Sequence, residues 1–202
     1  QTTPQQVCDA INRALGIENL ATLRDGRYLT LTSPTTGFNS SIAFHLPAAQ
    51  DATSYLFGSV NSFYIGQDIQ PAKLKGKRDL SRGVDLRDRA NIRFRLDEDT
   101  TITVNCAGAN PSNTQITEIV TAINDAVGAE VATQDGRFVT LTGRRVGARG
   151  RIVLEPAPIG EATEGIFGIR PRIFQGNDAT AAQIASEPDL TQGLEEDKKG
   201  LF

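Results

Sequence analysis

One histidine, His45, and two cysteines, Cys8 and Cys106, bound the nucleophilic and acid–base chemistry open to this 202-residue chain. His45 could act as a base or hold a metal, but it stands at a predicted strand end, and the matching position later in the chain is Glu155. The sequence contains no Gly-x-Ser-x-Gly, no His-Glu-x-x-His and no glycine-rich phosphate loop followed by Lys-Ser/Thr. Asp97-Glu98-Asp99 could offer carboxylates to a calcium ion. A three-residue turn supplies fewer than the roughly six to eight oxygens that calcium takes, so a solvated acidic turn is expected. Cys8 falls on the apolar side of a predicted helix, and Cys106 continues the in-phase set Ile102, Val104. Both read as small buried hydrophobes, with a Cys8–Cys106 bridge left open. The expectation is a chain with no catalytic, cofactor or metal site, and not an enzyme.

A second cluster is cationic. Arg144, Arg145, Arg149 and Arg151 gather on one predicted loop, where the matching earlier loop has Pro34-Thr35, Asn39 and Ser41. Such a surface could meet an acidic polysaccharide or an acidic neighbour. Net charge is −3 and Trp is absent, so neither a global field nor aromatic stacking favours nucleic acid. No apolar run approaches the roughly 18 residues that span a bilayer, so membrane insertion is not expected.

These residues sit in a chain that says nearly the same thing twice. Asp25-Gly26-Arg27-Tyr28-Leu29-Thr30-Leu31-Thr32 returns as Asp135-Gly136-Arg137-Phe138-Val139-Thr140-Leu141-Thr142. The step from Asp25 to Asp135 also relates Gly37 to Gly147, Gly66 to Gly176, Asp68 to Asp178 and Asp79-Leu80 to Asp189-Leu190. Ala10-Ile11-Asn12 matches Ala122-Ile123-Asn124 at a slightly longer step, so the second copy is two residues shorter in one loop. Tandem copies usually build extended arrays. Recurring carboxylates might suggest acid–base work, but a duplication carries geometry along with any chemistry, and Asp25 and Asp135 are of a type favoured in turns on backbone grounds alone.

The elements that must position these groups follow from periodicity. Asn91–Leu96 and Thr100–Cys106 alternate apolar and polar residues and predict a hairpin about Asp97–Asp99. Ile116, Ile119, Val120, Ile123 and Val127 form one helical stripe, with Thr114 the expected N-cap and Gly128 the stop. The first copy repeats this with Val7, Cys8, Ile11 and Leu15, opened by Thr3, Pro4 and Gln6 at capping-box spacing and closed by Gly16. Asp-Gly then marks a hairpin in each copy. Strands are expected at 151–154 and 172–174, with a short apolar turn at 165–168. The predicted class is α+β: a tandem repeat of a ββαββ-type module, a mostly antiparallel sheet covered by one helix per copy. The frame reads as a partial first repeat at 1–69, a linker at 70–78, a complete second repeat at 79–178, and at 179–202 a linker and the start of a third. The lysine-rich 73–78 run could blunt an edge strand.

The Ala-Ile-Asn helix, the Asp-Gly-Arg turn and the strand Leu29-Thr30-Leu31-Thr32 with its Ser/Thr/Gly-rich loop resemble the "IN" motif of flagellin and flagellar hook-associated proteins, also met in large bacterial surface proteins and phage-tail-like assemblies. The resemblance covers about half of each copy, and the long helices of a flagellar filament core are not part of it. It implies a structural repeat of an extracellular filament, particle or long surface protein, acting as spacer or assembly unit at a cell or particle surface. Self-association or contact with neighbouring repeats is the expected partnership. An adhesin-type module gripping a glycan or host surface is the alternative.

Overall fold

The computed structural model describes residues 2–45, 51–61 and 63–192. The chain forms two compact units, one of residues Gln1–Asp68 with Ala179–Phe202, the other of Ile69–Asp178. The class is α+β, and among the described residues the strand pairings are antiparallel apart from one isolated bridge.

The first unit opens with α1 (Pro4–Leu15). Its start is the capping box that the sequence predicts: Thr3 Oγ1 accepts the Gln6 N–H and Gln6 Oε1 accepts the Thr3 N–H at 2.8 Å. Gly16 ends the helix at φ 66°, a conformation that costs a side-chain-bearing residue more. β1 (Ala21–Arg24) and β2 (Tyr28–Thr32) form the expected hairpin, with Asp25 and Gly26 both at positive φ. Asn12 ties the helix to it: its amide accepts from the Ala21 N–H at 2.7 Å and donates to the Ala21 carbonyl at 2.9 Å. β3 (Ser41–Ala43) pairs with β4 (Phe63–Ile65), and the short helix α2 (Thr53–Phe57) between them in sequence buries Leu56 and Phe57.

The second unit begins with β5 (Pro71–Lys75). This corrects the linker expected at 70–78. Ala72 and Leu74 are fully buried while Lys73 and Lys75 point to solvent, a two-residue period masked by the charge of the run. β6 (Asn91–Leu96) and β7 (Ile102–Asn105) form the predicted hairpin, with Asp97 at φ 55° in its turn. α3 (Ile116–Val127) buries Ile116, Ile119 and Ile123 and stops at Gly128. Its N-cap is Gln115, whose N–H donates to Glu118 Oε2 at 2.8 Å; the expected cap, Thr114, is fully buried and instead accepts the Gly108 N–H on Oγ1 at 3.0 Å. β8 (Ala132–Asp135) and β9 (Phe138–Val146) form the next hairpin, followed by β10 (Arg151–Glu155), helix α4 (Thr163–Phe167) and β11 (Ile173–Gln175). The strands make two sheets, ordered β11-β10-β6-β7 and β5-β9-β8. Their inner residues Phe94, Ile152, Leu74 and Leu141 share one core with Ile119 and Ile123 of α3 and Phe167 of α4.

Past Asp178 the chain re-enters the first unit as β12 (Gln183–Ala185), which completes a sheet ordered β1-β2-β12. The segment expected to be a linker and the opening of a further copy is therefore, through Leu190, part of the first unit's interior: Ala182, Ile184 and Leu190 are buried, as are Leu29, Leu31 and Cys8. Residues 193–202 of that segment lie outside the described residues. Cys8 and Cys106 are free, buried thiols, one in each unit, and no bridge joins them.

Candidate functional site

The four arginines do not share one loop as the sequence suggests: Arg144 and Arg145 lie at the end of β9, Arg149 in the connection and Arg151 at the start of β10, and this corner meets the acidic turn of the β6–β7 hairpin. Arg144 is ion-paired with Asp99, and Arg145 Nη1 lies 3.2 Å from a Glu98 oxygen. Asp97 is buried, and its two carboxylate oxygens accept the backbone N–H groups of Arg145 (3.2 Å) and Arg151 (2.9 Å). The Asp97 N–H donates in turn to the Arg151 carbonyl at 2.7 Å. The turn is thus built to hold the loop, and Asp97 has its oxygens committed to peptide groups. Arg149 and Arg151 are exposed, and neither has an ion pair among the described residues. Of the four predicted surface arginines, two are matched by carboxylates of their own unit and two face water.

The recurring carboxylates do backbone work. Asp178 Oδ1 accepts the Ala148 N–H at 2.8 Å beside Gly147, and Asp68 Oδ1 accepts the Phe38 N–H at 2.6 Å beside Gly37. Asp79 accepts the Ser81 N–H and pairs with Arg137 at 2.9 Å; Asp189 accepts the Thr191 N–H and lies 3.8 Å from Arg27. Hydrogen bonds from Ser81, then the Arg137 cation, lower the Asp79 pKa to about 2. Asp135 is lowered by Lys75, 2.7 Å away, and Asp25 occupies a turn. Sequence spacing alone leaves acid–base pairs open; the geometry uses these groups for turns and strand ends. His45 is exposed just beyond β3, while Glu155, its counterpart, pairs with Arg93 at 3.3 Å. No cluster of three or more His, Cys, Asp or Glu suited to a metal occurs among the described residues.

A cleft of about 580 Å³ in the second unit, which no sequence motif signals, is lined by Arg78, Asp85, Leu86, Arg89, Glu161 and Glu164. Asp85 is held by Arg87, which lowers its pKa to about 2. Glu161 caps its own loop, accepting the N–H groups of Ala157 and Thr163. The wall mixes both signs of charge with backbone-committed carboxylates, and offers no nucleophile with an adjacent base.

Strand edges are the more specific feature. β10 lies between β11 and β6, whereas β3, which carries the matching residues, pairs with β4 alone among the described residues. Burial follows: Ile152, Val153 and Leu154 are buried, while Ile42 and Phe44 are half-buried and Ala43 is exposed. No helix among the described residues is long and apolar enough to cross a membrane. Comparison with known proteins finds no matching family model, no matching curated protein and no matching solved structure.

Proposed function

We propose that this chain is a tandem segment of a duplicated ββαββ-type module and serves as a structural spacer and assembly unit of an extracellular filament, phage-tail-like particle or long surface protein. The observation that carries this reading is the use made of the recurring residues. Asn12 and Asn124 each clamp a helix to the next strand, Asp68 and Asp178 each tie down a loop, and Asp79 and Asp189 each meet an arginine that follows an Asp-Gly turn. Residues that recur in register make the same kinds of local contact in both units, which supports the reading of a repeated brick. Among the described residues β3 pairs with β4 alone, which supports the assembly half of the proposal, since an unpaired strand edge can take a strand from a neighbour. Such a contact is heterologous and propagates head to tail. Light scattering and electron microscopy of the purified protein across a concentration series test it. Growth into linear particles is expected, and a monodisperse monomer at the highest concentration would count against assembly.

The exposed Arg149 and Arg151, without ion pairs among the described residues, favour a second reading, an adhesive surface for an acidic glycan. Glycan-array binding that is lost in Arg149→Ala and weakened in Arg145→Ala would support it. An array without binding would leave the spacer reading alone.

A further inference from the structure

The two units take the same kind of strand, delivered from opposite directions along the chain. In the second unit the strand precedes its receiver: Lys73, Leu74 and Lys75 pair with Thr142, Leu141 and Thr140. Gly76 then donates to the Val139 carbonyl and Leu80 to the Arg137 carbonyl, each at 2.9 Å, while Asp79 meets Arg137. In the first unit the strand comes long after its receiver, with the whole second unit between them: Gln183, Ile184 and Ala185 pair with Thr32, Leu31 and Thr30. Ser186 donates to the Leu29 carbonyl at 2.7 Å, Leu190 to the Arg27 carbonyl at 3.1 Å, and Asp189 lies beside Arg27. The buried set is also the same, Ala72, Leu74 and Leu80 in one case, Ala182, Ile184 and Leu190 in the other. The two receiving edges therefore take the same short pattern, two buried apolar residues and an Asp-Leu latch, although it precedes one receiver in the chain and follows the other.

We propose that the slot beside β2 accepts residues 179–190 of a second copy of this chain, so that chains join by exchanging this strand. The inference rests on the repeat-module reading above, because it treats residues 71–80 and 181–190 as equivalent parts. An exchanged strand makes in trans the hydrogen bonds and apolar contacts that it makes in cis. The two states therefore differ chiefly through the effective concentration of the tethered strand. Exchange is expected to rise with protein concentration and to be trapped when chains refold together.

Gln183 Nε2 lies 2.9 Å from Thr32 Oγ1 at an outward-facing pair of this sheet, which allows a covalent test in the full chain. Thr32→Cys and Gln183→Cys are made singly and together. The double variant is oxidised at low concentration. The two single variants are refolded together at high concentration and oxidised, beside a mixture of Thr32→Cys with Ser112→Cys that reports random collision. The expected result is a disulfide within the double variant, and a heterodimeric disulfide in the matched mixture several-fold above the collision control. A double variant that closes, with a matched mixture no better than collision, overturns the exchange and leaves the module reading intact. A double variant that fails to close overturns the register of β12 on β2, and the equivalence of the two strands falls with it.

Discussion

Asn124 of α3 and Ala132 of β8 exchange a pair of hydrogen bonds: Asn124 Oδ1 accepts the Ala132 N–H at 2.7 Å, and Nδ2 donates to the Ala132 carbonyl at 2.9 Å. Oδ1 also takes the Val131 N–H at 2.9 Å. A carboxamide carries one donor side and one acceptor side, so here it stands in for a neighbouring peptide at the start of the strand. Ala132 sits opposite Leu141 in the hairpin, as Ala21, held by Asn12, sits opposite Leu31. Asn124→Ala leaves these backbone groups without the amide, at about 1–3 kcal/mol for each that stays unsatisfied. The second unit is expected to lose about 2–4 kcal/mol, read as a drop in urea midpoint by circular dichroism with no change in the slope of the transition. Asn124→Asp keeps the acceptor and loses the donor, and is expected to fall between. A midpoint unmoved in Asn124→Ala would show that the clamp adds nothing to stability.

Two glycines of the second unit should respond in opposite senses. A Cβ on Gly176 would press on the Gln70 carbonyl oxygen and lie 2.5 Å from that of Gly147, both backbone atoms that cannot step aside. Gly176→Ala is expected to destabilise by several kcal/mol or to prevent folding. Gly165 lies inside α4 with open space around its Cβ position. Gly165→Ala is expected to stabilise by about 0.5–1 kcal/mol, because it restricts the unfolded chain and suits a helix. Thermal melts of both variants check the pair, and equal melting temperatures would contradict the packing around Gly176.

Legibility in the sequence followed the locality of the cause. The α1 cap, both helix stops and the β6–β7 hairpin are decided within a few residues, and pattern alone places them. β5 and β12 are decided by receivers far away in sequence, so Lys73 and Lys75 read as a solvated run although Ala72 and Leu74, which alternate with them, are buried. The two Asp-Gly-Arg turns show how little local identity can fix. In the first copy three residues separate the strands, and Asp25 and Gly26 take positive φ. In the second only Gly136 and Arg137 lie between, with Gly136 at φ 61° in the first position of a two-residue turn. The residues missing from the second copy are thus divided between the connection after α3 and this turn, and do not come from one loop as the sequence suggests. Of the arginine cluster, composition was legible but pairing was not, since Glu98 and Asp99 approach Arg145 and Arg144 only once β6, β7 and β9 are folded.

Acid should weaken the second unit through Asp79. Its carboxyl titrates at about 2 when folded and near its ordinary 3.8 when unfolded, held down first by Ser81 and then by Arg137. Between those values the unfolded chain binds more protons, so stability falls as pH drops. The contribution is whole above the unfolded value and is lost as pH falls through the folded one. Asp79→Asn removes that titration and is expected to flatten the fall in urea midpoint between about pH 5 and pH 2. Asp85, also at about 2 through Arg87, continues to titrate in that variant and serves as the internal reference. An acid response identical to that of the parent chain would mean that Asp79 titrates alike in both states.

The two cysteines allow each unit to be followed separately. Desolvation pushes the Cys106 thiol up to about 12, and Cys8 is also raised, by burial first and then by the neighbouring charge of Asp9. The thiolate is the reactive species, so both should resist alkylation in the folded protein at mildly alkaline pH and react fully in denaturant. Labelling then passes through opening of the unit that holds the thiol. Asn124→Ala is expected to speed labelling of Cys106 and leave Cys8 unchanged, while Asn12→Ala is expected to do the reverse. Peptide mapping by mass spectrometry after timed alkylation separates the two sites. Equal acceleration at both cysteines by either substitution would show that the chain opens as one cooperative body and would contradict two separately folded interiors.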